Sequence, residues 1–440
     1  MGMHQKTPRR NGLADNGNDR RSESKMKIAI AAWGTTGDVY PVLALAERLL
    51  QRKHHVRVCA PTIYKDKILG IGADFYEVGI AFDLAEFHQT MDTVLAMRDP
   101  MAPLLLIAKE GILRRGKKWY TDCLTAMEGF DLAICHSIDI PGQEAAIRNG
   151  LPWITVTYCP GFIKVPDNAP YPFPNWSRTL NAIIWKLVRL RLRYAVDPLF
   201  NKFITSVGGK PRASMALDEM YSPHINLIAA SPALCPPANY PPNHKFTGIW
   251  HLAQPDYVPP SELTDFLADG PPPIVITFGS MGGSDGRETT GILINAIKMT
   301  KQRAIIQAGW GLLGDQDAGE DIFCTEYVPH QWLFPKACCV VHHGGAGTTA
   351  SVCRAKVPSV VVPHIADQLY WGKLLFDLGV APKSLHRRKL TAKRLAKRIE
   401  QVFVTPSMTE KAETLGTQME SEDGLTTAVN LIESFPLSKK

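Results

Sequence analysis

Two doubly wound α/β domains are predicted for this chain by three observations. Its 440 residues are too many for one ordinary core. An apolar strand at Lys27–Ala32 runs into the turn Trp33-Gly34-Thr35-Thr36-Gly37-Asp38 and then into an apolar pattern of helical period, which is how a βαβ unit opens. The same strand, glycine turn and helix recur in the second half, at Ile274–Phe278 with Gly279 and at Val340–Val341 with Gly344, Gly345 and Gly347.

Composition narrows the class. The hydrophobic fraction of 45% is that of a globular protein, and no run of 18 uncharged apolar residues suggests a spanning helix. Residues 1–25 carry six basic and three acidic side chains around no apolar centre, so they read as a disordered leader rather than a secretory signal, which predicts a cytosolic protein. Nine cysteines, an odd number without C-x-x-C spacing, read as reduced thiols. Cys338, Cys339, His342 and His343 do not read as a metal site, because neighbours along a strand point to opposite faces. A net charge of +7 suits an anionic ligand or an anionic membrane surface. Nucleic acid is not expected, since the basic residues are not interleaved with aromatics in any recognisable module.

In chain order, Val39, Val42, Leu43, Ala46, Leu49 and Leu50 mark the first helix and Val56–Ala60 the second strand. A dinucleotide-binding dehydrogenase would carry G-x-G-x-x-G here and an acidic residue after the second strand. This chain has G-x-x-G and Cys59-Ala60-Pro61 instead. Asp38 is either a helix N-cap or a base exposed at the carboxyl end of a parallel strand. Residues 74–125 show short helical patterns. Strands follow at Asp131–His136 and Trp153–Cys159, and His136 is read both as a hydrogen-bonded strand end and as a group steering the protonation of Asp38. The proline-rich loop Gly161–Trp176, with Phe162, Tyr171, Phe173 and Trp176, has the character of a lining for apolar ligands. Ala182–Val196 is a basic amphipathic helix that lies either on its own domain or on a membrane. Pro232–Pro260 reads as the crossing to the second domain.

The second domain is expected to continue through a phosphate-facing turn at Gly279-Ser280-Met281-Gly282-Gly283, a helix to about Thr300, and strands at Ala304–Gln307 and Ile322–Thr325. Its centre is the stretch Cys339–Gly372. There the glycines after His342-His343 expose backbone N–H groups at a helix N-terminus, which favours phosphate. The run Pro358–Pro363 then brings His364, Asp367 and Gln368 to the same sheet edge, where a carboxylate and an amide suit sugar hydroxyls. A nucleotide sugar fits both needs. The domain limits are read as 1–25 leader, 26–250 first domain, 251–410 second domain, and 411–440 a helical segment returning to the first.

The wording Val328-Pro329-His330-Gln331-Trp332-Leu333-Phe334-Pro335, then HHGGAGTTA, then DQLYWG, resembles the donor signature of the family 1 glycosyltransferases. It is most similar to the sterol 3-beta-glucosyltransferase and glycopeptide-antibiotic branches. The resemblance covers Met26 to about Gly72 and about Ile274 to Gly379. It implies the GT-B fold, two Rossmann-like domains facing across a cleft, and inverting transfer of a sugar, glucose first, from UDP to a hydroxyl of a sterol, terpenoid or other lipid-like acceptor. It further implies Asp38 as the base, with His136 beside it. Donor binding falls to Gly279, Ser280, Val328, Gln331, His343, Gly345, Gly347, Thr348, Asp367 and Gln368. Acceptor binding falls to Gly34, Phe162, Tyr171, Phe173 and Trp176. No metal and no cofactor beyond the nucleotide-sugar co-substrate is implied. Peripheral membrane contact is an added expectation. Ser351 departs from the pattern, because many relatives place there a glutamate that holds the ribose hydroxyls. A dTDP- or GDP-linked deoxysugar and a polyketide acceptor are therefore kept as the alternative. A nucleotide-sugar 2-epimerase and a non-catalytic auxiliary protein of the same shape are the rivals.

Overall fold

The computed structural model describes residues 25–437 apart from 80–82, 98, 100, 236–237, 255, 280–285 and 308–317. The first sheet has seven parallel strands, β1 (Lys27–Ala31), β2 (His55–Ala60), β3 (Asp74–Glu77), β4 (Leu132–His136), β5 (Trp153–Thr157), β6 (Asn226–Ile228) and β7 (His244–Phe246), in the order 3-2-1-4-5-6-7. The second has five, β8 (Ile274–Thr277), β9 (Ala304–Gln307), β10 (Ile322–Thr325), β11 (Cys339–His342) and β12 (Ser359–Val361), in the order 10-9-8-11-12.

The central strands are largely apolar because helices cover both of their faces. In β1 the two-residue alternation sorts size. Ile28 and Ile30 enter the layer holding Leu43, Leu45 and Leu49 of the helix Thr36–Gln51, while Ala29 and Ala31 face the opposite layer with Trp119 and Cys123. Register runs Ile28 to Val56 on one side and Ile28 to Leu132 on the other. In the second sheet Val341 pairs with Ile276 and with Val360.

Each sheet reverses its winding once, between β1 and β4 and between β8 and β11, and the crevice outside the strand ends at such a reversal is where α/β folds bind ligands. Four turns are thereby selected: those after β1, β4, β8 and β11. At the end of the chain, the helix Ser407–Glu420 packs Ala412, Leu415 and Met419 against Ala350 and Cys353 of the helix Ala346–Arg354 on the second sheet. The helix Gly424–Glu433 instead packs Ala428, Val429 and Ile432 into the core of the first. Arg48 donates to Thr426 and Arg52 to Asn430, both at 3.0 Å, and His54 meets Glu433 at 3.1 Å.

Three strands, β3, β6 and β7, lie outside the expected pattern. β3 falls inside the stretch read as short helices, and β7 inside the stretch read as the crossing, where β6 holds it by parallel pairing. β3 (DFYE) and β7 (HKF) lack the apolar run that marks the other short strands. The basic helix spans Arg178–Ala195, beginning before its apolar pattern does, because the Ser177 hydroxyl accepts the Leu180 N–H at 3.4 Å. No helix among the described residues is long and apolar enough to cross a membrane.

Candidate active site

A cavity of about 1630 Å³ opens between the two sheets and is lined from all four turns. From the first domain come Asp38, after β1, and His136, at the end of β4. Asp38 is the third residue of its helix, not the N-cap that its sequence position suggested; Thr35 holds that place. The Asp38 carboxylate accepts the Thr35 N–H at 2.8 Å and the Thr35 hydroxyl at 3.2 Å, both on Oδ2. Gly34 makes this possible. It adopts φ +116°, and a Cβ there would stand 2.3 Å from Oδ2. Tyr158 donates its hydroxyl to the Asp38 carbonyl at 2.7 Å, and its ring lies 5.3 Å from that of His136.

His136 accepts the Ile138 N–H on Nδ1 at 3.3 Å, which assigns its proton to Nε2. Burial holds its pKa below the usual histidine value, against the opposing pull of the Asp38 carboxylate. A neutral imidazole therefore lies beside Asp38. The rest of this half is mostly apolar, with Trp33, Leu104, Ile107, Trp119, Trp185 and Leu192 on its walls and Glu86, Glu110, Arg115 and Arg191 among them.

From the second domain come Gly279, His343 and the turn Gly345–Thr348. Gly345 caps the helix Ala346–Arg354. The His343 ring lies over that cap, since a Cβ on Gly345 would come 2.4 Å from Nε2, and one on Gly279 would come 3.1 Å from Cε1. Burial takes His343 down to about 4, and His251 likewise; His330 falls to about 3, again chiefly by burial. At neutral pH these three rings carry no charge, so attraction for an anion at this turn comes from the helix N-terminus and its free N–H groups.

Asp367, the second residue of the helix Ala366–Asp377, lines the cavity from the same side. Burial first, and then the Asp38 charge across the cleft, raises its carboxyl to about 7. Gln368 also lines the cavity, but its Oε1 already accepts the N–H groups of His364 at 2.8 Å and Ile365 at 3.2 Å. Its amide N–H₂ is the end left for a ligand.

The cavity thus gathers Gly34, Asp38, His136, Phe162, Tyr171, Phe173, Gly279, Gln331, His343, Gly345, Gly347, Thr348, Asp367 and Gln368. Two expected residues are placed elsewhere. Val328, in the connection between β10 and the helix His330–Leu333, is fully buried among Leu333, Phe334 and Val340 and does not reach the cavity. Trp176 is 53 % exposed and outside the lining, turned outward just ahead of the Ser177 cap. Ser280 lies outside the described residues. Other lining residues carried no readable signal. His251, in the stretch taken as a linker, meets the Ser351 hydroxyl at 3.4 Å, and that hydroxyl donates to the Gly347 carbonyl at 2.9 Å. Trp33 could have been found, as a large aromatic in the first glycine turn. No group of three or more His, Cys, Asp or Glu among the described residues has a metal-binding arrangement.

Comparison with known proteins agrees with this geometry. Residues 28–115 match the glycosyltransferase family 28 N-terminal domain, and residues 316–434 match the erythromycin biosynthesis protein CIII-like C-terminal domain. A solved calicheamicin glycosyltransferase superposes with a TM-score of 0.69 at 18% identity, covering 93% of this chain and 98% of its own. The chain has the GT-B fold. A sterol 3-beta-glucosyltransferase of Arabidopsis thaliana is 28% identical over 93% of this chain and 68% of its own length. One from Komagataella phaffii is 28% identical over 96% of the chain but only 35% of its own length. An O-mycaminosyltylonolide 6-deoxyallosyltransferase of Streptomyces fradiae is also 28% identical, over 93% of this chain and 97% of its own. A Streptomyces glycosyltransferase solved with thymidine diphosphate superposes with a TM-score of 0.62 at 19% identity, covering 93% of this chain and 99% of its own.

Proposed function

We propose that this chain is a glycosyltransferase that moves a hexose, glucose first, from a nucleotide diphosphate to a hydroxyl of an apolar acceptor, with inversion at the anomeric carbon. The observation that carries the reading is the division of one cavity into an apolar half beside Asp38 and an N–H-rich half at Gly345. The diphosphate lies on the turn Gly345–Thr348, and the sugar hydroxyls meet Asp367 and the Gln368 amide. The acceptor lies against Trp33, Phe162 and Phe173. Residues 26–250 then form the acceptor domain and 251–410 the donor domain; of the segment expected to return to the first, the part up to Glu420 stays on the second domain and the helix Gly424–Glu433 makes the return.

In the reaction the acceptor oxygen attacks the anomeric carbon as the bond to the diphosphate oxygen breaks. The acceptor proton passes to Asp38, and the electron pair leaves with the diphosphate, whose charge the helix N-terminus stabilises. Asp38 Oδ1 is the atom for this step, since Oδ2 is engaged by Thr35. Neutral His136 positions the acceptor and cannot compete as an acid. The protein works in the cytoplasm, peripherally at a membrane.

A second donor is favoured by one feature. Ser351 and His251 offer the ribose no carboxylate, which suits a 2′-deoxyribose donor such as a dTDP-sugar as well as UDP-glucose. Donor hydrolysis and transfer, measured with UDP-glucose and dTDP-glucose on a panel of sterols and polyketide aglycones, tests the reading. Transfer with inversion is expected, and hydrolysis of neither donor would overturn it. Epimer formation without an acceptor would instead indicate the 2-epimerase, and tight donor binding without turnover the auxiliary protein.

A further inference from the structure

The helix Arg178–Ala195 has two apolar faces, and only one is used inside the protein. Ile184, Trp185 and Leu192 are buried against the first domain. On the outer side Leu180, Ile183, Leu187, Leu190 and Tyr194 are 48%, 48%, 61%, 51% and 74% exposed. Their spacing of three, four, three and four residues aligns them on one stripe, which at 1.5 Å per residue is roughly 21 Å long. Five large side chains in a continuous exposed line are not the scattered apolar surface expected of a soluble face.

We propose that this stripe lies on an anionic phospholipid bilayer, parallel to the interface, and sets the mouth of the cavity against the lipid. Charge selects the occupant. The helix carries five basic residues and no acidic one. Arg178, Arg189 and Arg191 are within ion-pair distance of Asp167, Asp218 and Asp99, whereas Lys186 and Arg193 have no ion pair among the described residues. Those two are seven residues apart and so flank the stripe along one edge, the arrangement that places ammonium and guanidinium groups at phosphate level while the apolar side chains enter the acyl boundary. A second copy of this chain would set the same cationic helix against itself.

The stripe is continuous with the proposed acceptor site. Leu187 belongs to it and lines the cavity, together with Val188 and Arg191 from the same helix. Phe162 and Phe173 line the cavity and are themselves 42% and 43% exposed. An apolar acceptor dissolved in the bilayer reaches the cavity without crossing water. This step rests on the acceptor reading above; the docking of the helix does not.

The test uses flotation of the full chain with phosphatidylcholine vesicles, with and without about 30 mol % phosphatidylglycerol, at low salt. The wild-type protein should partition to the anionic vesicles and release as salt is raised. Ile183→Ser/Leu190→Ser/Tyr194→Ser, three exposed positions outside the cavity, should lower partition by roughly tenfold or more. Lys186→Glu/Arg193→Glu should remove the preference for anionic vesicles. Unchanged circular dichroism and donor hydrolysis would show both variants folded. Absence of wild-type binding, or equal binding by the triple variant, would overturn the proposal. So would a wild-type dimer in sedimentation that the triple variant dissociates, because the stripe would then face a second copy. Vesicle binding without donor hydrolysis would sink the reaction while leaving the docking surface in place, and hydrolysis without vesicle binding would do the reverse.

Discussion

Both hydrogen bonds accepted by the Asp38 carboxylate end on Oδ2, so the side chain caps the turn with one oxygen and presents the other to the cavity. Asparagine keeps an acceptor oxygen for Thr35 but cannot take a proton. Asp38→Asn should therefore leave the thermal midpoint and donor affinity nearly unchanged while turnover falls by roughly 10²-fold, the lower range of general-base effects. Turnover near the parent rate, measured on the same sample as donor affinity, would reduce Asp38 to a capping residue. Asp367 is the counterpart on the donor side. Removing its carboxyl in Asp367→Ala should cost about 2 kcal/mol in transition-state binding, read as a fall in kcat/KM for the sugar donor. The free nucleoside diphosphate should bind as before, because its proposed site is the turn at Gly345. A loss of nucleotide affinity equal to the loss of kcat/KM would remove the sugar contact.

At the level of elements, apolar strands that end in a glycine or histidine turn were legible in the sequence and the polar edge strands β3 and β7 were not. β1, β4, β8 and β11 are apolar runs ending at a turn, histidine or glycine signal, and they place Asp38, His136, Gly279 and His343 without further information. β7 has three residues and polar neighbours, so nothing in its own composition distinguishes it from the proline-rich crossing. The inward turn of Val328 and the outward turn of Trp176 depend on packing between elements, which a signature does not encode. The helix Gly424–Glu433 shows how such packing is enforced. Its first residue lies against the interdomain crossing so closely that a Cβ on Gly424 would stand 2.5 Å from the Ile249 carbonyl and 2.6 Å from the Gly248 carbonyl carbon. Backbone cannot yield as a side chain tip can. Gly424→Ala should lower stability by about 2 kcal/mol through displacement of this helix, seen in denaturant unfolding, whereas Ala at exposed Gly347, where a Cβ meets nothing within 4 Å, should not.

Over the whole molecule, buried titratable groups make stability depend on pH with a definite sign. His136, His244, His251, His330, His342, His343 and His364 are all held below the usual histidine value, chiefly by burial. Asp139, Glu144, Asp197 and Asp367 are held above the usual carboxyl range, also chiefly by burial. As pH falls through about 6.5, the unfolded chain binds protons on histidines that the native state leaves neutral, so stability drops. The carboxyls act the other way, since above about 4 the native state keeps protons that the unfolded chain has released. Each fully shifted group contributes about 1.4 kcal/mol per pH unit, and the seven histidines outnumber the four carboxyls. The melting temperature should therefore fall between pH 6.5 and 5. Three of the histidines, His251, His330 and His343, border the proposed diphosphate turn, and a bound anion there raises their affinity for protons. UDP binding should thus take up protons in this range, and the melting-temperature increase given by saturating UDP should be larger near pH 5.5 than near pH 8. Calorimetry in two buffers of different ionisation enthalpy reads the proton uptake directly. A UDP-induced increase that is the same at both pH values, with no proton uptake, would place the diphosphate away from these histidines and so away from Gly345.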